Sequence, residues 1–152
     1  MSRRQTVPSR WLILDGPADG EVRTTLGRLP RETGVFLIGR IAPAPLRRVR
    51  RMAANSQLVV VAEHRGRAAR VHDMRELRRA LLARTPLIFL SPVYPTSSHP
   101  DWKPIARMRG AAMARLAERR LLALGGMDER RFRRVRPLGF IGWAGISAWR
   151  RR

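Results

Sequence analysis

Short apolar runs with no polar residue inside them recur along this chain, and they constrain its fold more than any other feature. Trp11-Leu12-Ile13-Leu14, Val35-Phe36-Leu37-Ile38 and Leu58-Val59-Val60-Val61 follow one another at intervals of about 24 residues. Leu87-Ile88-Phe89-Leu90, Leu121-Leu122-Ala123-Leu124 and Phe140 to Ala144 repeat the pattern in the second half. A strand with one wet face alternates apolar and polar residues. A strand covered on both faces does not, and such strands belong to parallel sheets flanked by helices.

The segments between the runs fit that requirement. Asp19 to Leu29 reads as a short helix closed by Pro30. Leu46, Val49 and Met52 with Ala53 recur at helical spacing, so Leu46 to Ala54 is predicted to be an amphipathic helix with an arginine face. Further helices are predicted at Met74 to Ala83, from about Pro104 to Glu118 with Pro104 in the first turn, at Asp128 to Val135 with Asp128 as N-cap, and from Ser147. Strand and helix in alternation predict right-handed parallel βα units.

The rhythm breaks once. Gly66 to Asp73 is too short for a complete βα unit, although Ala68 to His72 reads as a short extra strand. The expected architecture is therefore an α/β array of parallel βα units with six or seven strands. A full eight-unit barrel needs about 200 residues or more, and this chain has 152. Residues 1–152 are expected to form one domain, with 1–9 as a loose basic terminus.

Composition narrows the function. Without cysteine there is neither a disulfide framework nor a thiolate metal site. The apolar run at Trp11 to Leu14 is too short for a signal peptide, and no window approaches the roughly 18 apolar residues of a spanning helix, so a cytoplasmic protein with no membrane partner is expected. Thirty-two basic residues against 11 acidic ones give a net charge of +21, with Lys103 the only lysine. The basic clusters are spread over several predicted helices instead of one arm, which favours solvated helix faces over a nucleic-acid partner. The same charge attracts phosphorylated small molecules.

The most informative stretch follows the fourth of the apolar runs. Ser91-Pro92-Val93-Tyr94-Pro95-Thr96-Ser97-Ser98-His99-Pro100 is stiffened by its prolines and rich in hydroxyls. It resembles the Gly/Ser-Pro-Val-Phe-Pro-Thr-x-Thr/Ser-Lys/His loop of thiamine phosphate synthases and the related TenI thiazole tautomerases. Leu121 to Met127, ending in Gly125-Gly126, resembles that family's Ala-Ile/Leu-Gly-Gly-Ile/Met strand end. Gly142-Trp143-Ala144-Gly145-Ile146-Ser147-Ala148 resembles its Gly-Val-Ala-Val-Ile-Ser-Ala ending. The resemblance is concentrated between Leu87 and Trp149.

It implies a transferase of thiamine biosynthesis that joins a hydroxymethylpyrimidine diphosphate to a thiazole phosphate and releases pyrophosphate. The alternative is a TenI-like tautomerase or a catalytically degenerate phosphate-binding homologue. Family members are eight-stranded barrels, so the resemblance implies a TIM-barrel-like fold that is compacted or incomplete, with the missing material around Glu63 to Val71, and a homodimer could cover the gap.

Site residues follow in the same way. Glycines after a strand allow close approach of a ligand, and helix-start amides bind anions. Gly125, Gly126, Ile146 and Ser147 are accordingly expected to hold the thiazole phosphate. Thr96, Ser98 and His99 match residues that hold phosphate or pyrophosphate, and Arg40 matches an arginine that faces pyrophosphate, although Ala42 stands where a lysine is expected. His72 falls where the tautomerases carry their proposed acid/base, with Arg70 in place of the usual serine. A solvated or capping role for His72 stays open. The magnesium-binding Asn-Asp of the family is represented by Ala62-Glu63-His64, leaving Glu63 as the candidate ligand for Mg²⁺.

Overall fold

The computed structural model of the chain describes residues 7–15, 19–146 and 149, with 19–23 and 64 described by their backbone. Among the described residues seven strands form: β1 (Arg10–Asp15), β2 (Gly34–Ile38), β3 (Val59–Ala62), β4 (Ala68–Val71), β5 (Leu87–Leu90), β6 (Leu121–Leu124) and β7 (Gly142–Gly145). Between them lie the helices α1 (Asp19–Arg28), α2 (Pro43–Asn55), α3 (Met74–Leu82), α4 (Arg107–Leu116) and α5 (Glu129–Val135). The strands run in the order β3-β2-β1-β7-β6-β5-β4, every pairing parallel. The described strands make a nearly closed, incomplete, TIM-barrel-like cylinder. The apolar runs became strands because helices cover them outside and side chains fill the space inside.

Alternation along the strands sorts residues into two sets. Trp11 and Ile13, Phe36, Ala68, Leu87 and Phe89, Leu122 and Ala144 pack together in the interior. Leu12, Val35 and Leu37 pack under α1 and α2, while Ile88, Leu90, Leu121 and Ala123 pack under α3, α4 and α5. Three rings fill the interior: Phe36 stacks on Phe89 at 4.4 Å, and Trp11 meets Phe89 edge-on at 5.6 Å. Gly34 is required beside them, since a Cβ there would lie 2.2 Å from the Trp11 ring.

The seam lies between β3 and β4, which do not pair. They are joined by a 3₁₀ turn, Glu63–Arg65, and by Gly66 at φ 70°, where another residue type would be strained. The short strand expected at Ala68 to His72 is real. Helix capping also follows the sequence: the Asp73 carboxylate accepts the Glu76 amide at 2.8 Å, and Asp128 accepts that of Arg131 at 2.7 Å.

Two departures from expectation have a direct physical cause. α4 begins at Arg107, not near Pro104, because the Ile105 amide donates to the Pro92 carbonyl at 2.8 Å and holds that segment against the loop after β5. Pro8 and Ser9, expected within a loose terminus, are tied down: Trp11 Nε1 donates to the Pro8 carbonyl at 2.7 Å, and the Trp143 amide to that of Ser9 at 2.8 Å. The short helix expected from Ser147 begins outside the described residues.

Candidate active site at the carboxyl ends of the strands

Interior-facing positions continue upward into a cleft at the carboxyl ends of the strands, the end at which parallel barrels carry their chemistry. Ile13, Ile38, Leu124 and Ile146 supply its apolar surface; Arg70, His72, Ser91, Thr96, Ser98, His99 and Trp102 bring the polar and aromatic groups. Its volume is about 170 Å³. Arg70 and His72 both reach it because they continue the inward period of two that begins at Ala68.

His72 is fixed from two sides. Its Nδ1 lies 2.8 Å from the Ser91 carbonyl oxygen. A carbonyl can only accept, so Nδ1 carries the proton and Nε2 is the basic atom of the neutral ring. Trp102 stands edge-on to the His72 ring at 4.9 Å and stacks on His99 at 4.2 Å, 14° from parallel. Two imidazoles and an indole, from the residue just after β4 and from the loop after β5, are thus assembled into one wall. Trp102, 42% exposed, was not among the sequence candidates. The signal available for it was an aromatic residue three positions beyond His99, within a loop already singled out.

The loop is held by backbone bonds from Val93 and Tyr94 to the carbonyls of Leu124 and Gly125. Thr96 Oγ1 accepts the Ser98 amide at 3.4 Å, bending the hydroxyl-rich turn over the cleft.

No family model matches the chain. A thiamine-phosphate synthase from Anoxybacillus flavithermus is 35% identical over 80 residues, a match covering 51% of this chain and 37% of that relative. Among solved structures, a thiamine phosphate pyrophosphorylase from Pyrococcus furiosus superposes with a TM-score of 0.70 at 15% identity, covering 95% of this chain and 88% of that one. The sequence match spans little more than a third of that relative, and the superposition shows the fold. A native KDPGal structure superposes less closely, with a TM-score of 0.59 at 13% identity over 96% of this chain and 86% of that one, and shares the fold alone.

The expected site residues divide. Thr96, Ser98, His99, His72 and Ile146 meet in the cleft. Arg40 is exposed just beyond β2 and is not among the residues lining it. Ser147 lies outside the described residues. Gly125 and Gly126 border the loop instead of the cleft. A Cβ at Gly125 would lie 2.8 Å from Pro92 Cα, and one at Gly126 would lie 2.2 Å from the Pro95 carbonyl oxygen. With φ of +90° and +59°, both glycines serve the close approach of the Pro92 to Pro95 backbone. The Gly126 carbonyl also accepts from Arg131, whose guanidinium lies over the Tyr94 ring at 5.1 Å.

Glu63 requires a correction. It was expected to ligate Mg²⁺; instead its carboxylate is closed by neighbours. Arg70 Nε donates to Oε1 at 2.8 Å, Arg70 Nη2 to Oε2 at 3.1 Å, and the Gly39 amide to Oε2 at 2.9 Å. Burial pushes this carboxyl up, and the hydrogen bonds from Arg70 and Gly39 with the Arg70 charge outweigh it, leaving the group below its ordinary value. A divalent cation here would have to displace or adjoin a guanidinium. Among the described residues no cluster of three or more His, Asp or Glu offers another site. The residues present do not fit a divalent metal.

Proposed function

We propose that the chain performs thiamine-phosphate-synthase chemistry, joining a hydroxymethylpyrimidine diphosphate to a thiazole phosphate. The observation that carries this reading is the convergence of the Thr96 to His99 loop, His72 and Ile146 on one cleft at the carboxyl end of the barrel. The reaction breaks the bond between the pyrimidine methylene carbon and the diphosphate oxygen. The electron pair leaves with pyrophosphate, and the thiazole nitrogen lone pair forms the new C–N bond to the cationic carbon.

Such chemistry needs donors for the departing anion, a held acceptor and exclusion of water, not an enzymic nucleophile. In this reading Ser98, Thr96 and His99, which line the cleft, donate to phosphate oxygens. Ile13, Ile38, Leu124 and Ile146 provide the apolar surface that keeps water from capturing the cation. The Trp102 ring gives that positive carbon an aromatic neighbour. The test supplies the purified chain with both substrates and follows thiamine phosphate and pyrophosphate. Equal amounts of the two products are expected. Absence of product, together with no binding of either substrate, overturns the reading.

The fixed His72 tautomer favours a second reading, a TenI-like tautomerase acting on thiazole phosphate. Nε2 would then move the proton, and His72→Gln should abolish isomerisation while leaving thiazole phosphate binding within about twofold, a small change on the affinity scale. Isomerisation that survives this substitution removes the second reading.

A further inference from the structure

The Arg70–Glu63 pair has a geometry that a simple strap between strands would not need. Arg70 meets the carboxylate side-on, through Nε and Nη2. A guanidinium carries five N–H donors, so this arrangement leaves both hydrogens of Nη1 and one of Nη2 on the opposite edge, the planar fork that matches a phosphate oxyanion. The Arg70 side chain is 35% exposed and lines the cleft with Ser98, His99 and His72. Glu63, anchored by the Gly39 amide, fixes the direction of the fork from behind.

We propose that Arg70 grips the diphosphate of the ligand, aimed by Glu63 as a positioning residue, and that the site thereby binds pyrophosphate without a divalent cation. The proposal rests on the reading of the cleft as a diphosphate site. It turns the mismatch at Glu63 into a specific claim: the carboxylate that would have held a metal holds a guanidinium instead. A guanidinium delivers charge together with bidentate hydrogen bonds, the two services a cation offers a leaving pyrophosphate.

The experiment is calorimetric titration of the full chain with inorganic pyrophosphate and, separately, with thiazole phosphate, each in EDTA and in excess Mg²⁺. Pyrophosphate is expected to bind in EDTA, and Arg70→Gln to weaken it by at least about tenfold, the value of one lost charge-assisted contact. Arg70→Lys keeps the charge beside Glu63 and the fold, yet should weaken binding similarly because the fork is gone. Glu63→Gln separates positioning from plain electrostatics. Removing a negative charge beside an anion should tighten binding if Glu63 is only a neighbour; weaker binding, restored by Glu63→Asp, is expected if it aims Arg70.

Pyrophosphate binding only with Mg²⁺, or unchanged in Arg70→Lys, overturns the proposal. Thiazole phosphate binding without any pyrophosphate binding overturns it while leaving a phosphate-binding cleft intact. No binding of either ligand removes both the proposal and the functional reading beneath it.

Discussion

β5 and β3 are four-residue apolar strands of nearly the same character, yet they sit in opposite circumstances. Leu87 to Leu90 are all buried, with β4 and β6 bonded on either side. Val59 to Val61 are only half-buried, because β3 has β2 on one side and the seam on the other. On the closed side the barrel is held by backbone ladders and interior rings. At the seam, side chains do that work: Glu63 joins the end of β3 to Arg70 on β4 and to Gly39 beyond β2. A missing barrel unit can thus be bridged by one carboxylate, and the bridge lies at the rim of the cleft.

That contrast predicts a graded set of effects. Phe89→Ala, on the closed side, removes the ring that both Phe36 and Trp11 contact, and should cost about 3–5 kcal/mol in chemical denaturation. A loss no larger than that of a seam substitution would break the comparison. Gly126→Ala forces a Cβ toward the Pro95 carbonyl at φ +59° and should cost about 1–3 kcal/mol while lowering ligand affinity, since the loop must retreat.

Glu63→Gln, at the seam, should cost only about 0.5–1 kcal/mol, because the pair is partly exposed and screened. Its pH dependence has a definite sign. The folded carboxyl titrates below its ordinary 4.5, so its contribution is complete above that pH and is lost as pH falls through the folded value. Urea titrations of wild type and variant should therefore differ at neutral pH and converge in acid; divergence on acidification would contradict the pairing. Smallest of all, Val60→Thr on the open strand should stay within about 0.5 kcal/mol. Amide hydrogen exchange sharpens the same point, with β3 exchanging ahead of β5 and β6.

The strands were legible because double-sided burial leaves an unmistakable pattern, as Val35 to Ile38 illustrates. Helix ends were legible where a side chain caps them, as at Asp73 and Asp128, and illegible at Pro104, where a tertiary hydrogen bond from Ile105 decided the boundary. The cleft was legible in part. Thr96, Ser98, His99 and His72 could be placed by motif, but the partners of His72 lie 19 and 30 residues away in sequence, at Ser91 and Trp102. Gly125-Gly126 invited a ligand-binding interpretation because small residues look alike whether a phosphate or a neighbouring loop approaches them. Glu63 reads from sequence as a candidate Mg²⁺ ligand, since no local signal pairs it with an arginine seven positions on.

The three interior rings carry a further consequence. With Trp11, Phe36 and Phe89 packed together in the interior, the cleft of about 170 Å³ at the strand ends is a dish set above aromatic rings. What fits is then set by the height of the rim. Lengthening the turn between Thr96 and Trp102 would deepen the dish without disturbing the volume beneath it, which makes that turn the place where a protein of this shape can exchange one substrate for another.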